Sequence, residues 1–350
     1  MTRAAGVRIA VLLCAARLAG GAAAPAAAPF GNAPYDAPAP AAAAARIRVR
    51  VDTSAAEQIL EALSRDKPKP GEAGALEGHG IIHRQISESG KGEAVWIEDF
   101  AAAFLPESQP GTFDLRSVRL DRERWRVALD GVRADAAAIA AGAASRAAAL
   151  LPEDPPVTLD AEIDLTFALA GIEDHVLFTS RDGRAVVLVD LGRAISENPG
   201  NPRADTAEAL SRLAAAETFR AAWDVFLRAS PAWQKPDEGP TAPLLRATAT
   251  VAPIALFSFD RNFFPLSRWL HDDLIHAIDA FNQEVALLAD PKTEIGKRAE
   301  VLAALRKPGL RPDPALSAGA FLADAVFQAG GRPALVGALA SGPDGLFETY

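Results

Sequence analysis

A chain of 350 residues, 49% hydrophobic with a formal charge of −9, can bury one large core or two modest ones. That acidity gives no electrostatic case for nucleic-acid binding. The single cysteine, Cys14, excludes a disulfide framework.

Residues 1–28 read as an export signal. Arg3 and Arg8 precede the apolar run from Ile9 to Ala16, and small residues follow through Gly20 to Ala24. Arg17 interrupts the run, and a disordered Ala-rich tail is the alternative reading. Removing Arg3, Arg8 and Arg17 with the signal would take the charge from −9 to −12 and leave the mature chain without a thiol. Cys14 follows Leu13 and not a small residue, which argues against lipid attachment. The expected location is the periplasm or the medium. No other apolar run reaches membrane-spanning length, so no transmembrane segment is expected in the mature chain.

Residues 29–45, with Pro29, Pro34, Pro38 and Pro40, form an Ala/Pro-rich linker whose composition gives little apolar surface to bury. An N-terminal helical region, 46–155, follows. It opens on Arg46 to Val51, where basic and β-branched residues alternate with the period of a strand buried on one face. Asp52, Thr53 and Ser54 offer caps for a helix ending near Leu63, and the run Lys67 to Gly71 breaks the pattern. Helices are predicted around 93–105, 117–130 and 134–151.

A second region, 156–350, begins with strict alternation from Val157 to Phe167, a strand buried on one face only. Segments 175–180 and 185–190 flank Asp182-Gly183, a favourable hairpin turn. A helix follows over 206–229, with Asp205 and Glu208 placed as a capping box. Beyond a loop holding Pro231, Pro236, Pro240 and Pro243, helices are expected at 265–289, 293–306 and 314–329. Gly330-Gly331 stops the last of these and Pro333 starts a short final one. The predicted class is α+β, mostly helical, with a small antiparallel sheet and a central helix.

The central helix carries Ala216-Glu217-Thr218-Phe219-Arg220. Leu210, Leu213, Ala214, Glu217 and Ala221 share one face, while Phe219, Ala222, Trp223 and Phe226 cover the opposite one. A helix apolar on both sides is buried, and a lone buried carboxylate is expensive. Arg220, three residues on, is positioned to pair with Glu217; breaking such a pair would cost about 3 kcal/mol if it were fully buried.

In zinc peptidases the corresponding helix reads His-Glu-x-x-His, in which two histidines grip the metal and the glutamate activates water. An edge hairpin followed by that helix, with a third ligand from a later helix, is the plan of the gluzincin (thermolysin-like, peptidase MA) type. This chain resembles bacterial zinc-dependent peptidase families of that type over about 156–350. The resemblance extends to Ala318 through Ala325, Gly330-Gly331-Arg332, Leu335 and the ending Phe347-Glu348-Thr349-Tyr350. It implies a zincin-like domain with Glu217 at the general-base position and Ala216 and Arg220 at the two histidine positions. The nearest counterpart of the third ligand segment, Val251 to Ala255, has no carboxylate. An arginine cannot ligate a cation, so no metal is expected at this site. The implied function is non-catalytic, a scaffold or a binder of peptide or protein in the vestigial cleft. The alternative is an active zinc hydrolase with unconventional ligands drawn from His79, His83, His271 and Glu217; a plain envelope structural protein is the third reading.

Other candidates are weaker. His79 and His83 have metal-ligand spacing but lack a third partner, and Gly80 weakens the helix between them. His271 and His276 diverge by about 140° on an ideal helix, and Asp272, Asp273 and Glu284 read as a solvated face. Phe257, Phe259, Phe263, Phe264 and Trp269 read as core packing, with an apolar groove as the alternative. Nucleophile-elbow, phosphate-loop and dinucleotide motifs are missing.

Overall fold

The computed structural model describes residues 32–37, 39, 43, 46–78, 80–88, 90–106, 111–167, 175–179, 184–192, 204–305 and 314–350. The export signal, Cys14, His79 and the Asp182-Gly183 turn lie outside them, as does the side chain of Asp205. In chain order the elements are β1 (Ile47–Asp52), α1 (Ser54–Leu63), α2 (Glu72–Glu77), α3 (Gly80–Glu88), α4 (Glu93–Ala102), α5 (Leu115–Leu120) and α6 (Arg122–Ala149). They continue as β2 (Leu159–Thr166), β3 (His175–Thr179), β4 (Ala185–Asp190), α7 (Ala204–Ala229) and α8 (Ala242–Ala255). The chain ends with α9 (Asp272–Ala289), α10 (Ile295–Ala304), α11 (Pro314–Ala340) and α12 (Gly345–Thr349). The α+β, mostly helical class holds. Among the described residues no helix is long and apolar enough to cross a membrane.

Two compact units are interleaved along the chain, and neither follows the division at 155/156. A sheet unit takes 45–145 and 158–221; a helical unit takes 146–157 and 222–350 together with the N-terminal segment.

In the sheet unit the strand order is β1-β2-β4-β3. β1, β2 and β4 run parallel, and β3 is an edge strand antiparallel to β4. The expected hairpin is present, but the expected antiparallel sheet is not. The helices between β1 and β2 supply the long crossover that parallel pairing requires. Alternation within a strand reports which face is buried and is silent on the direction of its neighbour. β2 also departs from burial on one face only. Its apolar positions Leu159, Ala161, Ile163 and Leu165 are buried as expected, but Asp164 and Thr166 on the other face are buried too. Gln85 of α3 closes over that end, donating to the Phe167 carbonyl at 2.9 Å and accepting from the Thr166 hydroxyl at 2.7 Å. β4 is buried throughout, as an apolar strand flanked on both sides would be. The helices predicted at 117–130 and 134–151 are one continuous helix, α6, preceded by the short α5; Gly131 does not break it.

In the helical unit α11 packs against α8 and α9. A Cβ at Gly319 would stand 2.9 Å from the Thr248 carbonyl oxygen and 3.0 Å from the Ala252 Cα, so glycine is what lets α11 approach α8. Leu244, Leu245, Phe281, Val285, Leu288, Ala315 and Ala318 form one core cluster. Asp324, buried on α11, accepts from the Leu266 amide at 2.5 Å and from Gln328 at 2.9 Å, tying the 256–268 segment to the helix. Burial pushes its carboxyl above the usual range, against the pull of those two donors. Helix α8 was not predicted; Pro243 stands at its start, where a missing N–H costs nothing. The stop at Gly331 is present as a positive φ of 68° inside α11.

The linker reading is corrected at residues 33–37. Pro34–Asp36 form a single 3₁₀ turn with Pro34 and Tyr35 buried. Tyr35 stacks on Phe257 with ring centres 4.7 Å apart, meets Phe264 edge-on and donates its hydroxyl to the Phe259 carbonyl at 3.1 Å. Asp36 pairs with Arg146 at 3.2 Å. Phe264 is buried, Phe257, Phe259 and Phe263 are half-buried and Trp269 is exposed, so the aromatic cluster is core in part, completed by a tyrosine from the proline-rich segment.

Candidate functional site

Helix α7 follows directly from the β3–β4 hairpin in element order, and Glu217 sits on it, 8% exposed. Leu210, Ala214, Phe219, Ala222, Trp223 and Phe226 are all buried, so the helix is apolar on both sides as its pattern predicted. Ala216 is half-buried and offers a methyl group. Arg220 is exposed, and its Nη1 lies 3.8 Å from Glu217 Oε2. This is a long contact with the guanidinium side chain 56% exposed, not the buried ion pair that the apolar face suggested. The arginine's length lets the charge leave the stripe for solvent while its stem stays on the helix.

The donors around Glu217 do not suit zinc, which takes three protein ligands from His, Cys or carboxylate and keeps one open position. Val251 to Ala255 lie in α8 and belong to the helical unit, with Ala252 buried against α11. His83 is exposed and pairs with Glu77 at 2.5 Å. His271 precedes α9 and packs edge-on against Phe263, while His276, Asp272 and Asp273 are exposed, as a solvated face would be. His79 is outside the described residues.

A different acidic group was missed in the sequence. Asp52, Glu162 and Asp164 bring one carboxylate oxygen each to within 4.8 Å of one another. Among the described residues it is the only group of three or more His, Cys, Asp or Glu side chains so gathered. The parallel register explains it: Arg48 is opposite Asp160, Arg50 opposite Glu162 and Asp52 opposite Asp164. Two rungs pair arginine with carboxylate, at 2.8 Å and 3.4 Å, and the third pairs two acids. A signal was available, because an alternating basic strand and an alternating acidic strand are complementary when laid side by side. Asp164 is pushed up to about 7, mainly by burial and then by Glu162 and Asp52, against the pull of Arg184 and Arg50.

No protein-family model, curated protein or solved structure matches this chain.

Proposed function

We propose that the chain is a zinc-peptidase-like scaffold whose metal site is lost and which acts by binding, with Glu217 as the relic of a general base. The observation that carries this reading is a buried glutamate on the helix after an edge hairpin, flanked by a methyl group and an exposed guanidinium where ligands would stand. In the zinc-peptidase plan water activation by this glutamate relies on a Lewis acid beside it, and neither flanking side chain can hold one. An extended peptide or protein segment is the favoured partner. Among the described residues β3 has a strand on one side only, and its other edge offers the backbone groups to which an extended chain can add. The N-terminal pattern supports action after export, in the periplasm or the medium.

The experiment is elemental analysis of residues 29–350, purified without chelator and offered zinc, with casein cleavage measured in parallel. The expected result is no zinc lost on Glu217→Gln and no cleavage. Stoichiometric zinc that Glu217→Gln or His83→Ala releases, together with cleavage, would establish the hydrolase reading instead.

A further inference from the structure

We infer that Asp52, Glu162 and Asp164 form a binding site for a hard, calcium-class divalent cation on the polar face of the sheet. The inference is independent of the peptidase resemblance and rests on four observations.

Geometry comes first. Glu162 and Asp164 are two apart on β2, and Asp52 faces Asp164 from β1, so the pleat sends all three carboxylates to one face. Three oxygens at the 4.8 Å limit stand about 2.8 Å from a common centre, so inward shifts of a few tenths of an ångström bring all three to calcium–oxygen distances of about 2.4 Å.

Second, two ligands are already oriented. Arg50 and Arg184 both hold Glu162 through Oε2. The Ser54 amide donates to Asp52 Oδ1 at 2.7 Å. Each contact fixes a carboxylate by one oxygen and leaves its other oxygen without a partner among the described residues. Fixing of this kind is what an outer shell does for metal ligands.

Third, Asp164 is 3% exposed, and among the described residues it accepts no hydrogen bond and forms no ion pair. A buried carboxylate in that state needs a proton or a cation. Two acids beside it raise the cost of its charge, and a divalent ion would remove that cost for all three at once.

Finally, the donors are carboxylate oxygens alone, with no imidazole or thiolate, which favours calcium, magnesium or manganese over zinc. The spacing favours the larger, geometrically tolerant calcium. Water would complete the shell. Arg50 and Arg184 work against a cation, so binding should fall at the weak end of calcium sites, with a Kd of about 10⁻⁴–10⁻³ M.

The test is calorimetric titration of chelator-stripped full-length chain with calcium above neutral pH, with Mn²⁺ uptake followed by electron paramagnetic resonance. The expected result is one ion per chain and a raised melting temperature. Asp164→Asn, nearly the same shape and uncharged, should fold and weaken binding at least tenfold; Asp52→Asn should do likewise. Glu300→Gln, on exposed α10, should change nothing, which separates this site from general acidity. Uptake insensitive to Asp164→Asn would overturn the inference. So would a melting temperature that rises on acidification yet ignores calcium, because a proton alone would then neutralise the group.

Discussion

Asp52 and Asp164 stand opposite one another on adjacent parallel strands, the third rung of a ladder whose first two rungs pair arginine with acid. Asp164 holds its proton up to about pH 7 in the folded chain and gives it up near 3.8 when unfolded. Below the unfolded value both states are protonated and nothing is lost. Between the two values the folded state binds the extra proton, so stability falls as pH rises, and above about 7 the loss is complete. At about 1.4 kcal/mol per unit this amounts to a few kcal/mol. In calcium chelator, Asp164→Asn should therefore match the wild type in urea unfolding at acid pH and exceed it above neutrality. A variant less stable than wild type in alkaline buffer would contradict this account.

Arg220→Ala should cost less than about 1 kcal/mol, the range of exposed ion pairs. The guanidinium is more than half in water and 3.8 Å from its partner. A loss near the 3 kcal/mol of a buried pair, read from denaturant midpoints, would mean that the glutamate depends on the arginine after all.

Gly319→Ala should destabilise by about 1–3 kcal/mol, because its new methyl group would press on backbone atoms of α8 that cannot step aside. Gly337, on the same helix, has nothing within 4 Å of an added Cβ. Gly337→Ala should instead stabilise by about 0.5–1 kcal/mol through helix propensity. Thermal melts of the two variants should move in opposite directions.

Tyr35→Phe should cost about 1 kcal/mol for the lost bond to the Phe259 carbonyl. Tyr35→Ala, emptying a ring-sized space among Phe257 and Phe264, should cost about 3–5 kcal/mol. A chain beginning after residue 37 should show the same deficit. An unchanged melting temperature on that truncation would restore the segment to a plain linker.

Strands β1 to β4, α1 and the long α7 were legible because their apolar periods are clean, as in Val157 to Phe167. What local pattern could not supply was long-range. Parallel pairing of β1 with β2 is decided by a crossover of a hundred residues, and the acidic trio exists only once that register is set. Tyr35 looked like part of a solvated spacer because its aromatic partners come so much later in the chain. Helix α8 was lost among prolines, though Pro243 sits at the one helical position that tolerates it. At Glu217 the sequence reported the burial and the i,i+3 partner correctly and missed that the arginine stands largely in solvent, since helical spacing fixes where a side chain starts and not where a long one ends.

The partnerships that complete each unit span long stretches of the chain. Arg48 meets Asp160 across 112 residues, and Tyr35 meets Phe259 across 224. Closing loops of that length is entropically slow and cannot begin until both ends exist. A ribosome that has made residues 1–155 has made β1 with no strand to lie against and Tyr35 with no rings to stack on. The sheet unit therefore stays unfinished until residue 221 is made, and the helical unit until the last third of the chain is synthesised. Throughout that interval the nascent chain is open to whatever handles unfolded polypeptide.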